Sequence, residues 1–235
     1  MHHKSEQEIL RPFVTERRYD RMVSVVRERT RYITVVVEDL YQPHNGSAVL
    51  RTCDAFGVQD VHIVENRNPW RVNPGVELGT AQWLTLHRYR SATLAPTGSP
   101  VVGPVEETIR CIENLKDAGY RVVATEPRET GYTPATLPLE DSPVAILFGS
   151  EKEGLTPTAL ALADDYLAIP MVGFVESLNI SVSAAVTLHT LTNRLRDSAI
   201  PWQLSPASED ELITQWLKRD IPLWEEIVRR AQEDS

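Results

Sequence analysis

Hydrophobic positions along the chain fall into short β-branched runs separated by stretches of helical period, the alternation expected of a parallel α/β sheet. Residues 33–38 (ITVVVE) form the first run, continuous enough to predict a strand buried on both faces. A turn, LYQPHN, leads into a helical pattern over 46–56, with Asn45 at the expected N-cap and Gly57 at the expected C-cap. A second run at 60–65 (DVHIVE) completes a β–α–β unit with short connections. Further strands are predicted at 83–89, 120–125, 144–148 (VAILF) and 166–169. Helices are predicted at 106–118, stopped by Gly119, and from Thr156-Pro157 to Ala163. Stretches 66–79 and 91–104 carry prolines and polar residues with little periodicity, and read as loops.

The C-terminal third centres on residues 169–196, a polar loop with Gly173, Ser177 and Asn179 followed by a helical pattern over 181–195. Val182, Ala185, Val186, Leu188, Leu191 and Leu195 give that helix a broad apolar face, and Ser181, Ser183, Ala184 and Ala185 let another backbone come close. Periodicity alone fits either a core helix or a tight subunit contact. Beyond it, 208–218 and 223–232 read as short helices, an appendage on the core or on a partner subunit. The resulting division is 1–31, a basic helical extension; 32–197, the α/β domain; and 198–235, a C-terminal helical extension.

Length and composition narrow the class. At 235 residues the chain supports one full core, and its longest unbroken apolar run, 144–148, is far short of the roughly 20 residues a membrane span needs. The first ten residues lack a signal-type apolar stretch, and His2 and His3 carry no weight. Cys53 and Cys111 are too few for a disulfide framework or a cysteine-built metal site, so a cytoplasmic protein without metal or membrane association is expected. The net charge of −9 argues against a general nucleic-acid binder. The basic charge is nevertheless local: seven Arg against three acids over 11–31 leave that segment at +4 and the remainder at −13. Arg17, Arg21, Arg27 and Arg29 there define either a solvated amphipathic helix or, given an RNA substrate, a phosphate-contacting arm.

In an open parallel sheet, ligands bind at the carboxyl ends of strands. The loops at those ends read YQPHN, ATEPRE, FGSEKEGLT and IPMVGFVESLN. Neither a G-x-G-x-x-G nor a G-x-x-x-x-G-K-[ST] follows the first strand, which removes the usual dinucleotide and P-loop readings. Gly149 is expected to let a ligand approach the backbone, and Gly154 to take a left-handed turn.

Three segments in order, NGSAVLRTCDAFG, FGSEKEGLTPTALALAD and IPMVGFVESLNISVSAAV, resemble the motifs of SpoU-type RNA 2′-O-methyltransferases of the SPOUT superfamily. Within it the chain is most similar to the branch that methylates the D-loop guanosine of tRNA, on the PHN before the first motif, the arginine-rich N-terminal helix and the helical C-terminal elements. The resemblance implies an α/β fold, a parallel sheet with helices on both faces and a C-terminal trefoil knot, as an obligate homodimer. It implies S-adenosyl-L-methionine as cofactor and tRNA as substrate. The alternatives are ribose methylation of ribosomal RNA and a non-catalytic knotted RNA-binding protein.

Carried over by motif, Asn45, Arg51, Glu151, Ser177 and Asn179 are the expected catalytic group, and Thr125, Gly149, Ile169 and Leu178 the expected cofactor-binding positions. Arg51 is no base, because guanidinium stays protonated; its expected role is to bind the adjacent phosphate and place the hydroxyl. Glu151 also fits an acid before a helix, and Ser177 and Asn179 also fit caps of the helix that follows.

Overall fold

A computed structural model describes residues 5–70, 79–90, 105–126 and 131–233; the expected loop positions 71–78 and 91–104, and His2 and His3, lie outside them. In chain order the elements are α1 (Glu6–Leu10), α2 (Glu16–Val26), β1 (Ile33–Glu38), α3 (Pro43–Ala55), β2 (Asp60–Glu65), β3 (Thr85–Arg90), α4 (Glu106–Asp117), β4 (Arg121–Thr125), β5 (Val144–Phe148), α5 (Pro157–Leu162), β6 (Asp165–Leu167), α6 (Ile180–Arg196), α7 (Pro206–Asp220) and α8 (Trp224–Glu233). They fall into two compact units, Arg31–Trp202 and the two chain ends, Met1–Thr30 with Gln203–Ser235.

The larger unit is built on a six-stranded sheet of order β3-β2-β1-β5-β4-β6, parallel throughout. Every residue of β1 and β5 is buried, as their apolar runs predict, and so is every residue of β2, although it carries Asp60, His62 and Glu65. The two-residue period sorts these side chains to opposite faces. Ile33, Val35, Val37, Val144, Ile146 and Phe148 cluster with Val49, Leu50 and Cys53 of α3 and Ala184, Leu188, Leu191 and Leu195 of α6. Val36, Ala145, Leu147, Val122 and Ala124 cluster with Cys111, Ile112 and Leu115 of α4 and Ala159 of α5. Helices therefore cover both faces, as expected. Chain order reverses between β1 and β5, and the loops after β1, β4, β5 and β6 leave the same edge of the sheet.

Two local expectations are corrected. α3 begins at Pro43 with Gln42 as its N-cap, because proline at the first helical position needs no N–H partner and has φ already set. Asn45 is therefore inside the first turn, 3% exposed, and its side chain is free for another role. Trp83 belongs to a 3-10 turn (Thr80–Trp83) before β3 rather than to the strand.

In the smaller unit the chain ends, far apart in sequence, pack together. Leu10, Met22 and Val26 are buried with Leu212, Ile213, Trp216 and Leu217. Arg18 grips Asp220 through Nε and Nη2 at 3.1 and 2.8 Å, and Lys218 meets Glu6 at 2.6 Å. Arg29 is corrected as a phosphate contact: only 1% exposed, its guanidinium lies over the Trp216 ring at 5.6 Å, where it stabilises this unit. Among the described residues no helix is long and apolar enough to cross a membrane.

Candidate functional site

A cavity of about 660 Å³ opens where the loops after β4, β5 and β6 converge. Thr125, Gly149, Ile169 and Leu178, all four of the expected cofactor positions, line it, as do Glu151, Ser177 and Asn179. Phe148, Leu155 and Leu167 supply buried apolar wall, whereas Glu151, Lys152, Glu153 and Glu176 are exposed along the rim. The loop after β5 closes on itself: Ser150 and Gly154 exchange backbone hydrogen bonds at 3.0 Å in each direction, and Gly154 turns with φ 69°. The loop itself also requires glycine at 149: a Cβ there would lie 2.1 Å from the Gly154 carbonyl carbon and 2.2 Å from the Leu155 nitrogen.

Polar side chains from all three motifs meet beside this cavity. Asn45 Nδ2 donates to Glu151 Oε1 at 2.6 Å, and Tyr41 N–H donates to Glu151 Oε2 at 3.2 Å. Asn179 Nδ2 donates to Asn45 Oδ1 at 3.2 Å, while Asn179 Oδ1 accepts from the Ser181 N–H at 2.9 Å and the Ser181 hydroxyl at 2.6 Å. Asn179 thus caps α6, as one of its expected roles has it, and bonds Asn45 at the same time. Both carboxylate oxygens of Glu151 accept bonds from the β1–α3 segment, fixing that segment against the β5 loop.

Behind the loop lie residues that motif reading missed. Glu38, at the end of β1, accepts from the Thr156 N–H at 2.8 Å, the Thr156 hydroxyl at 2.8 Å and the Thr108 hydroxyl, tying α4 and the start of α5 to the strand. Burial pushes its carboxyl above the usual range, against the lowering effect of those bonds. Asp39, held at φ 51°, accepts from the N–H groups of Asn66 and Arg67 at 2.8 Å, and Arg67 reaches Glu153 at 2.7 Å. This places a second support under the β5 loop. The only sequence signal was an acidic pair closing a strand otherwise buried end to end.

Arg51 is not brought to the cavity; it is exposed on α3 and makes no ion pair among the described residues. Arg17, Arg21 and Arg27 are likewise exposed without an ion pair among the described residues, whereas Arg11 pairs with Glu16 and Arg31 with Asp60. His62 stacks on His87 at 4.5 Å, away from these loops in the β2–β3 pair, and burial lowers its pKa to about 4, with His87 adding to the effect and Asp60 opposing it.

Residues 32–189 match the SpoU rRNA Methylase family. A tRNA (guanosine(18)-2′-O)-methyltransferase of Borreliella burgdorferi is 35% identical over 213 residues, 91% of this chain and 90% of its own length. The crystal structure of the A. aeolicus TrmH/SpoU tRNA modifying enzyme superposes with a TM-score of 0.73 at 23% identity, covering 88% of this chain and 98% of that one. The SpoU methyltransferase AviRb of Streptomyces viridochromogenes, in complex with the cofactor AdoMet, gives a TM-score of 0.53 at 21% identity over 75% of this chain and 62% of its own.

Proposed function

The chain belongs to the SpoU rRNA methylase family, and from that membership we propose that it is a tRNA (guanosine(18)-2′-O)-methyltransferase that uses S-adenosyl-L-methionine. The observation that carries this reading is the contact between Glu151, Asn45 and Asn179, one residue from each motif, at the edge of a cavity lined by all four expected cofactor positions. The cavity fits the cofactor: its volume lies within the roughly 300–1,000 Å³ of small-molecule sites, its wall is apolar where it is buried, and its rim carries charge.

Bound there, S-adenosylmethionine supplies an electrophilic methyl group on a sulfonium. Thr125, Gly149, Ile169 and Leu178 hold it, and the Arg67–Glu153 and Thr156–Glu38 contacts keep the β5 loop in shape for it. Glu151 fixes Asn45, Asn179 fixes the opposite end of the Asn45 amide, and Ser177 adds a hydroxyl at the same mouth, so the ribose meets groups that are already oriented. Arg51 approaches from outside the cavity and clamps the phosphate next to the target ribose; a phosphate oxygen or water takes the proton. The exposed Arg17, Arg21 and Arg27 hold the tRNA elsewhere along its backbone.

The same reading makes the protein a cytoplasmic homodimer with a trefoil knot in its C-terminal part. Dimerisation is supported by Val182 and Val186, one turn apart on α6 and 46% and 39% exposed beside small residues that permit close approach. The direct test is methyl transfer to a tRNA transcript, to the same transcript with 2′-deoxyguanosine at position 18, and to ribosomal RNA. Label in the first alone supports the proposal; label in ribosomal RNA or in the deoxy transcript overturns it.

A further inference from the structure

α6 carries three threonines, and one behaves differently from the others. Thr190 Oγ1 donates to the Val186 carbonyl at 2.9 Å and Thr192 Oγ1 to the Leu188 carbonyl at 2.7 Å, the usual way a helical threonine satisfies its hydroxyl. Thr187 is fully buried, lines the cavity, and has no hydrogen-bond partner for its Oγ1 among the described residues. It is also the third member of a polar file. Asn179, Ser183 and Thr187 are four residues apart, on one side of the helix, and all three line the cavity. At about 1.5 Å of rise per residue, Thr187 lies about 12 Å along the helix from Asn179.

The two ends of this file differ in character. At Asn179 are the exposed rim and the Glu151–Asn45 contact; Thr187 is sealed from solvent in a cavity whose buried wall is Phe148, Leu155 and Leu167. A charged amino-acid group taken into such a wall would lose its hydration with no opposite charge to meet it, while the exposed Lys152 and Glu176 can receive it at the rim. A neutral heteroaromatic edge is the chemistry that suits the sealed end. A hydroxyl both donates and accepts, so it can pair with a ring nitrogen or an exocyclic amine.

We propose that Thr187 is a cofactor-contacting residue whose hydroxyl bonds the edge of the adenine of S-adenosylmethionine and selects for that base. The proposal rests on the reading of this cavity as the cofactor site. The unpartnered hydroxyl costs the free protein stability and is satisfied when the base arrives. Thr187→Val, close to isosteric, therefore separates the two states: it relieves the free protein and penalises the complex.

Calorimetry with S-adenosylhomocysteine and with its inosine counterpart as probes, on the wild type, Thr187→Val, Thr187→Ser and Leu178→Arg, tests this. Thr187→Val is expected to bind S-adenosylhomocysteine about three- to tenfold more weakly and to lose most of the preference for adenine over hypoxanthine. Its ligand-free melting temperature should hold or rise, while Thr187→Ser keeps the affinity. Unchanged affinity of folded Thr187→Val, or an equal loss for both nucleosides, overturns the proposal. Leu178→Arg probes the underlying reading: a folded variant that still binds at full affinity removes the cavity as the cofactor site. Should Leu178→Arg lose binding while Thr187→Val retains it, only the role of Thr187 fails.

Discussion

Asn45 donates to Glu151 at 2.6 Å across 106 residues of sequence, and it does so from a buried position in the first turn of a helix. The cost of breaking this contact is asymmetric. Glu151→Ala leaves the Asn45 amide buried with a donor unmade, which costs about 1–3 kcal/mol, and it also frees the Tyr41 N–H. Glu151→Gln keeps one acceptor and should cost less. The expected order of melting temperatures is wild type, then Glu151→Gln, then Glu151→Ala, with single-turnover methyl transfer falling in the same order. Equal melting temperatures for all three would show that the contact supplies no stability.

The sheet was legible because β1 and β5 are buried on both faces and so contain almost nothing but β-branched and apolar residues, and because β2, though it carries Asp60, His62 and Glu65, follows β1 and one helix after short connections. The cavity walls were legible only through family resemblance, since no spacing rule brings Thr125 to Leu178. What stayed hidden is tertiary. Arg29 looks like its exposed neighbours in sequence, and only the return of α7 buries it. Gly149 was legible as a place where a ligand can approach, but not that the loop's own backbone excludes a side chain there. Gly149→Ala should therefore lower stability even without ligand, by about 1–3 kcal/mol or more, and abolish S-adenosylhomocysteine binding. Chemical denaturation of the ligand-free variant checks the first half, and an unchanged midpoint would contradict it.

His62 sets a pH limit on stability. Burial holds its folded pKa at about 4, below the usual value near 6.5, so below about pH 6.5 the unfolded chain takes up a proton that the folded chain resists. The contribution is complete above pH 6.5 and is lost as pH falls through 4, an effect on the order of 2–3 kcal/mol. Denaturation midpoints measured from pH 7.5 to 4.5 should fall more steeply for wild type than for His62→Phe, so that wild type loses stability relative to the variant below about pH 6.5. Parallel curves would remove His62 as the source.

Dimerisation through α6 gives a test independent of RNA. Val182 and Val186 are one turn apart and exposed, so Val182→Glu with Val186→Glu puts two carboxylates into the proposed contact without touching the core. Sedimentation at micromolar concentration should give a dimer for the wild type and a monomer for the double variant, with circular dichroism unchanged. A monomeric wild type would refute the contact.

Capture of tRNA and transfer of the methyl group should separate by residue. Arg51 stands outside the cavity without an ion pair among the described residues, and its expected work is to fix ribose and phosphate at the moment of transfer. Alignment of this kind accounts for several kcal/mol of a barrier, roughly 7–11 at its upper end, so Arg51→Ala should lose most of its single-turnover rate while binding S-adenosylhomocysteine normally. Arg17 and Arg21 lie on the exposed side of α2, and Arg27 follows at its C-cap; none gives up its charge to an acid among the described residues. Substituting Arg17 and Arg21 by Ala should weaken tRNA binding, flatten its salt dependence by roughly one slope unit per lost phosphate contact, and leave the rate at saturating tRNA close to wild type. Arg29→Ala serves as the control, because its guanidinium lies buried against Trp216: it should lower the melting temperature and leave the salt slope unchanged. Methyl transfer and binding measured across one salt series for the three variants decide the matter. A wild-type rate in Arg51→Ala, or a wild-type slope in the Arg17 and Arg21 double variant, would reassign that residue's part in the reaction.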